Sequence, residues 1–136
     1  MIIGEYTFRV RYSDTDKMGL MYYSRYLEYC EAARVELLRS TGIIYAEVEK
    51  QGIALPVIQA HINYYKPIYY DEVVKIVSRI PHMPSSTLRI EYEFYKDRQI
   101  CSYAYTILAF VSIATGKAIK PPSWLLHKFH KFFHGS

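Results

Sequence analysis

Cysteine is scarce in this chain of 136 residues: Cys30 and Cys101 are the only two. They form no C-x-x-C pair and no metal-ligand spacing, which excludes a zinc ribbon or a disulfide-stapled scaffold. Each lies inside an apolar pattern, so both read as buried free thiols of a reducing cytoplasm. Long apolar runs are missing as well. The longest, such as Ile107 to Val111, fall far short of a bilayer span. The opening stretch MIIGEYTF has no basic region leading into an apolar one, so no signal peptide is expected and the expected location is cytoplasmic. Lysine and arginine form no block. The net charge of +4 is spread along the chain, which permits an anionic ligand but offers no basic stripe of the kind that reads nucleic acid. No serine or cysteine sits in a nucleophile motif. No repeat, linker or low-complexity segment divides residues 1–136, and the length suits a single domain.

What is plentiful is tyrosine. Aromatic residues make up 16% of the chain, and 15 of them are Tyr. A tyrosine has an apolar body and a polar tip, so it suits half-wet clefts and interfaces. Part of this aromatic surface is therefore expected to be covered by a second copy of the chain.

The periodicity changes twice. Residues 5–12, EYTFRVRY, alternate: Tyr6, Phe8, Val10 and Tyr12 share one face of a predicted strand. From about Tyr23 to Ser40 the period is helical. Leu27, Cys30, Arg34 and Leu37 lie on one side, with Tyr23, Tyr26, Ala33 and Leu38 beside them, and Gly42 stands where a helix-ending glycine belongs. A short helix over 45–50 follows, then strands over 55–65, 72–80, 87–95 and 100–113, separated by turn residues. A last helix runs over 124–133. One long helix on one face of an antiparallel sheet of about five strands is an α+β layer architecture. The other face then needs solvent or another subunit.

Chemistry concentrates in RYSDTDKMGLMYYSRY, residues 11–26. Asp14 and Asp16 are two apart, so in extended backbone both point the same way. Gly19 permits a sharp turn or a close ligand approach. The helix then begins near Met21 to Tyr23, and its first N–H groups have no intrahelical partner. Two readings are open. The aspartates compensate the helix start and shape a turn. Alternatively, one carboxylate attacks or activates water against a carbonyl polarised by those N–H groups. A metal held by the pair lacks a third ligand.

The segment D-T-D-K-M-G-L-M-Y-Y followed by Tyr26, with YLEYCEAARVELLRSTG and LPVIQAHINYYKPIYYDEVVKI, resembles the 4-hydroxybenzoyl-CoA thioesterase family, and within it the YbgC-like acyl-CoA thioesterases. The resemblance covers about residues 5–130. It implies a hotdog fold, a curled antiparallel sheet wrapped round one long helix. It also implies homodimers joined edge to edge, often paired into tetramers, with active sites built from two chains. It implies an acyl-CoA substrate and no cofactor, Asp16 as the catalytic carboxylate, the Tyr23 backbone amide as the carbonyl donor, Gly19 as the motif glycine and Asp14 as a structural neighbour. Tyr22 and Tyr26 are the candidates for shaping the acyl pocket. Where many relatives offer a basic residue to the CoA phosphates, this chain has Met83-Pro84-Ser85-Ser86. Ser85, Ser86 and the nearby Arg89 are the substitutes to examine. Many relatives also carry His where Tyr23 stands, and a smaller or amide residue where Arg25 stands.

Two rivals accompany this reading. One is hydrolysis of acyl groups on acyl carrier protein, an acidic partner suited to a basic surface; the other is a non-catalytic subunit that binds acyl ligands. His127, His130 and His134 share a helix face without a carboxylate or cysteine to complete a metal set, so no metal is expected. Gln59, His61 and Asn63 form a polar stripe that either faces solvent, the favoured reading, or lines a cleft.

Overall fold

The structure, a computed structural model, describes residues 1–133. Its first strand, β1 (Ile2–Arg9), begins before the alternating stretch and ends inside it. Phe8 and Val10 are buried as expected, but Tyr12 is 79% exposed. The cause is local. A 3-10 turn over Tyr12–Asp14 is closed by the Asp14 N–H on the Arg11 carbonyl at 2.9 Å, which takes the chain out of extension before Tyr12.

Helix α1 (Tyr23–Ser40) occupies the span the helical period predicts. It ends at Gly42, with φ of +91°, where the Gly42 and Ile43 N–H groups donate to Arg39 and Leu38 carbonyls at 2.9 and 3.0 Å. This is a Schellman-type closure that only a residue at ease in the left-handed region provides cheaply. Next come α2 (Tyr45–Lys50), β2 (Ile53–Ala54), β3 (Val57–Tyr64), β4 (Val73–Ile80), β5 (Thr87–Lys96), β6 (Gln99–Ala109), β7 (Val111–Ser112) and α3 (Ser123–Phe133). The strand predicted over 100–113 is divided into β6 and β7, and the one predicted over 55–65 starts only at Val57. Pro56 follows β2 and Leu55, and β2 leaves the main sheet to pair with β7 rather than extending β3. Correspondingly, β6 stops before Phe110.

The main sheet has the order β1-β4-β5-β6-β3, antiparallel throughout. Its inner face buries Ile76 and Ile80 from β4, Leu88 to Phe94 at every second residue from β5, and Ala104, Thr106 and Leu108 from β6. Tyr26, Cys30, Ala33, Leu37 and Leu38 of α1 are buried with them in one cluster. Each fully buried Leu, Ile or Phe contributes about 1.5–3 kcal/mol, so this helix-on-sheet layer holds the fold. The outer face is polar. Arg79 pairs with Glu93 and Arg89 with Glu91, and the Arg89 guanidinium lies 3.9 Å over the Tyr105 ring. The Gln59–His61–Asn63 stripe belongs to this face. Gln59 donates to the Tyr105 hydroxyl at 2.9 Å and His61 Nε2 meets Asn63 Oδ1 at 2.8 Å, with all three exposed. Edge strand β3 is exposed at every residue except Ile62, although Val57, Ile58 and Tyr64 are large and apolar. Among the described residues no helix is long and apolar enough to cross a membrane.

Candidate active site

The two aspartates of the motif part company. Asp14 closes the 3-10 turn instead of lying in a strand, so the two-residue rule for extended chain does not apply, and the expected common direction is corrected. Asp14 is fully buried. Its carboxylate accepts the Tyr29 hydroxyl and the Arg11 N–H at 2.9 Å, with the Arg11 guanidinium at 3.3 Å. Burial alone would raise its pKa, but the hydrogen bonds from Tyr29 and Arg11 and the guanidinium charge outweigh it and hold the carboxyl below its ordinary range. The same Asp14–Tyr29 bond, added to burial, pushes the tyrosine hydroxyl up.

Asp16 turns outward and is exposed. Its Oδ1 accepts the Met18 and Leu20 N–H groups at 2.8 and 3.1 Å. The Asp16 N–H donates to the Leu20 carbonyl at 2.8 Å, and Gly19 takes φ of +78° to close the loop. Among the described residues, Oδ2 accepts no hydrogen bond. The loop is stitched to the chain before β4: Met21 N–H donates to the Ile68 carbonyl at 2.7 Å and Tyr70 N–H to the Gly19 carbonyl at 3.0 Å. The turn-shaping role of Asp16 is thus real, and one oxygen remains available.

Helix α1 starts without a side-chain cap at Tyr22. Tyr22 N–H is taken by the Asp14 carbonyl at 2.7 Å and Arg25 N–H by the Tyr22 carbonyl at 3.0 Å. The N–H groups between them, on Tyr23 and Ser24, have no partner among the described residues, as the first positions of a helix require. Beside them opens a cleft of about 330 Å³ walled by Tyr23, Tyr26, Tyr64, Pro67 and Ile68. Tyr26 sits at its floor, 3% exposed, edge-on to Tyr64 at 4.9 Å. Burial, with smaller contributions from Tyr64 and Cys101, pushes the Tyr26 hydroxyl up to about 12. It therefore stays protonated and offers no base. Burial also lifts the Cys30 thiol to about 12, which removes it as a nucleophile.

Tyr22 is 45% exposed at the helix start and stacks obliquely on Tyr23. Ser85, Ser86 and Arg89 are not brought to the cleft within one chain. The serines are exposed in the β4–β5 turn, and Arg89 is on the outer face, held by Glu91 at 3.0 Å. Strand β4 runs from Val73 to Ile80, and the turn that holds the serines lies past its far end. Tyr64, Pro67 and Ile68 were missed from the sequence. The one available signal was a lone Ile after Pro67 among tyrosines, and Ile68 proves fully buried. Of the C-terminal histidines, His127 and His130 are exposed on α3, and His134 lies outside the described residues.

Comparisons with known proteins bear on the family and the fold. A family model described as the thioesterase-like superfamily matches residues 10–129. The chain is 28% identical over 123 residues to the acyl-CoA thioesterase YbgC of Haemophilus influenzae, covering 90% of each. It is 36% identical over 76 residues to YneP of Bacillus subtilis, which spans 56% of this chain and only 55% of that protein. The crystal structure of a DHNA-CoA thioesterase from Staphylococcus aureus superposes with a TM-score of 0.84 at 30% identity, covering 98% of this chain and 85% of that one.

Proposed function

The chain belongs to the thioesterase-like superfamily and is a thioester hydrolase of hotdog fold, and from that premise we propose that it hydrolyses acyl-CoA to the free acid and CoA, with Asp16 as the catalytic carboxylate. The observation that carries this reading is the pair of unengaged N–H groups on Tyr23 and Ser24 at the mouth of the aromatic cleft, reached by a loop whose aspartate keeps one oxygen free.

The thioester carbonyl oxygen accepts the Tyr23 N–H, where charge develops as the carbon is attacked. Asp16 either adds to the carbon to form a mixed anhydride or takes a proton from the attacking water. The C–S bond breaks and CoA leaves as thiolate, a leaving group that needs no strong acid. Tyr22 and Tyr26 border the acyl group. Ser85, Ser86 and Arg89 reach the nucleotide end only from a second chain.

A second chain is part of the proposal. The exposed apolar side chains of edge strand β3, with Ile58 59% exposed, fit antiparallel pairing with another copy, giving a dimer or a tetramer made of two dimers. Ile58→Glu is expected to shift the mass in solution to that of one chain and to lower activity with it. An unchanged mass would count against pairing through β3.

The direct test is thiol release from acyl-CoAs, short, long and aromatic, beside the same acyl groups on carrier protein. Release from CoA esters is the expected result. Release only from the carrier favours the second reading, which the basic outer face of α3 (His127, Lys128, His130 and Lys131) supports. Tight acyl-ligand binding with no release of thiol from either substrate would leave a non-catalytic binder.

A further inference from the structure

The cleft at Tyr23 does not stop there. Helix α1 and edge strand β3 run side by side away from it, and two further hollows of about 220 and 270 Å³ lie between them. The nearer is lined by Leu27, Arg34, Ala60 and Thr106; the farther by Arg34, Leu38, Leu55 and Leu108. On the helix these positions continue the spacing of Tyr23 and Tyr26, so one stripe of α1 walls all three hollows. On the strand Tyr64, Ala60 and Val57 follow in the opposite chain direction. The groove therefore leads from the thioester end along the helix. Its axis rises about 16 Å between Tyr23 and Arg34.

Arg34 is the anomaly in this groove. Arg9, Arg11, Arg25, Arg39, Arg79 and Arg89 each face a carboxylate within 4.0 Å, and Arg98 is exposed to solvent. Arg34, half-buried, makes no ion pair among the described residues. It lies instead against interior groups: its charge opposes the rise that burial imposes on the Tyr92 hydroxyl and the Cys30 thiol. The Tyr92 hydroxyl is bonded to Thr106 Oγ1 at 2.8 Å, so hydroxyls and guanidinium share one wall. Glu31 borders the same hollows but is exposed, on the solvent lip. A guanidinium drawn halfway out of water with no counter-charge is a costly arrangement, and a carboxylate relieves it through two parallel N–H···O bonds.

We propose that this groove receives acyl groups bearing a second carboxylate at their far end, and that Arg34 is the residue that selects them. The proposal rests on the thioesterase reading. Side chains on a helix lean toward its N-terminus, so an acyl chain held at Tyr23 meets the guanidinium after roughly eight to twelve carbons.

The test is kcat/KM on matched CoA thioesters, octanoyl against suberyl and decanoyl against sebacyl, for wild type, Arg34→Gln and Arg34→Lys. Wild type is expected to favour the acid-ended member by about tenfold or more, mainly through KM. Arg34→Gln brings the ratio near one. Arg34→Lys retains part of it, because the charge remains and the two-pronged geometry does not. If Arg34→Gln fails to fold, inhibition of wild type by free suberate against octanoate reads the same preference, and equal inhibition overturns the subsite. Hydrolysis of both members at equal efficiency, or an unchanged ratio in Arg34→Gln, overturns the subsite while leaving the thioesterase intact. Release of thiol from none of the four, while another acyl-CoA of the short, long and aromatic panel is hydrolysed, overturns the subsite alone; release from no acyl-CoA at all overturns the acyl-CoA reading, and the subsite with it.

Discussion

Asp16→Asn lowers thiol release by a factor of roughly 10²–10⁴ while leaving the melting temperature close to that of wild type. The separation is possible because the two jobs of this side chain fall on different chemistry. The turn needs only an acceptor: Oδ1 takes the Met18 and Leu20 N–H groups at 2.8 and 3.1 Å, and an asparagine carbonyl oxygen accepts the same two bonds. Catalysis needs a carboxylate with an available oxygen, and an amide is neither nucleophile nor base. Asp16→Ala loses both. Its rate falls as far, and the loop between Thr15 and Met21 loses about 0.5–1.5 kcal/mol of support per hydrogen bond. Rates from a thiol reagent, with circular-dichroism melts of all three proteins, settle the matter. An Asp16→Asn protein that keeps most of its rate would reduce Asp16 to a builder of turns.

The largest loss of stability is expected at Asp14. Its carboxylate is fully buried and joins three parts of the chain: the end of β1 through Arg11, the helix through Tyr29, and, by its backbone carbonyl, the helix start at Tyr22. Asp14→Ala leaves the Tyr29 hydroxyl and the Arg11 N–H without acceptors and costs about 2–3 kcal/mol, a fall in melting temperature of roughly 6–12 °C. Tyr29→Phe removes one of these bonds and costs about half as much. The pH dependence carries a definite sign. Asp14 is held below its ordinary value of 3.8 in the folded chain, so the stability it contributes is fully present above that value and is lost as the pH falls through the lower folded value. As the pH falls below 3.8, wild type should lose melting temperature faster than Asp14→Asn. Parallel curves would show that the buried carboxylate is not the source of the acid sensitivity.

Both residues illustrate how far a linear reading carries. The span of α1, the short α2, the glycine at 42, the existence of five main-sheet strands and the place of the motif were all legible, because each depends on residues that are neighbours along the chain. A stripe of apolar side chains at helical spacing makes a helix wherever it is packed, and a strand that alternates has one face to bury. Strand β2 and the break at Phe110 were not legible, since both depend on the pairing of β2 with β7 across the chain. Tyr12 was misplaced for a related reason: the turn that exposes it is anchored by Asp14, whose carboxylate is in turn committed to Tyr29 on another element.

The sequence by itself determined the class of architecture, the helix start that carries unpartnered N–H groups, and the pair of aspartates beside it. Only the tertiary structure decided which aspartate is buried and which faces outward, that Ile68 closes the cleft, that Arg89 is already held by Glu91, and that Arg34 makes no ion pair among the described residues. Local pattern specifies an element and its faces. The partner each polar side chain meets is set by which elements pack together, and desolvation then gives those partners their chemical weight.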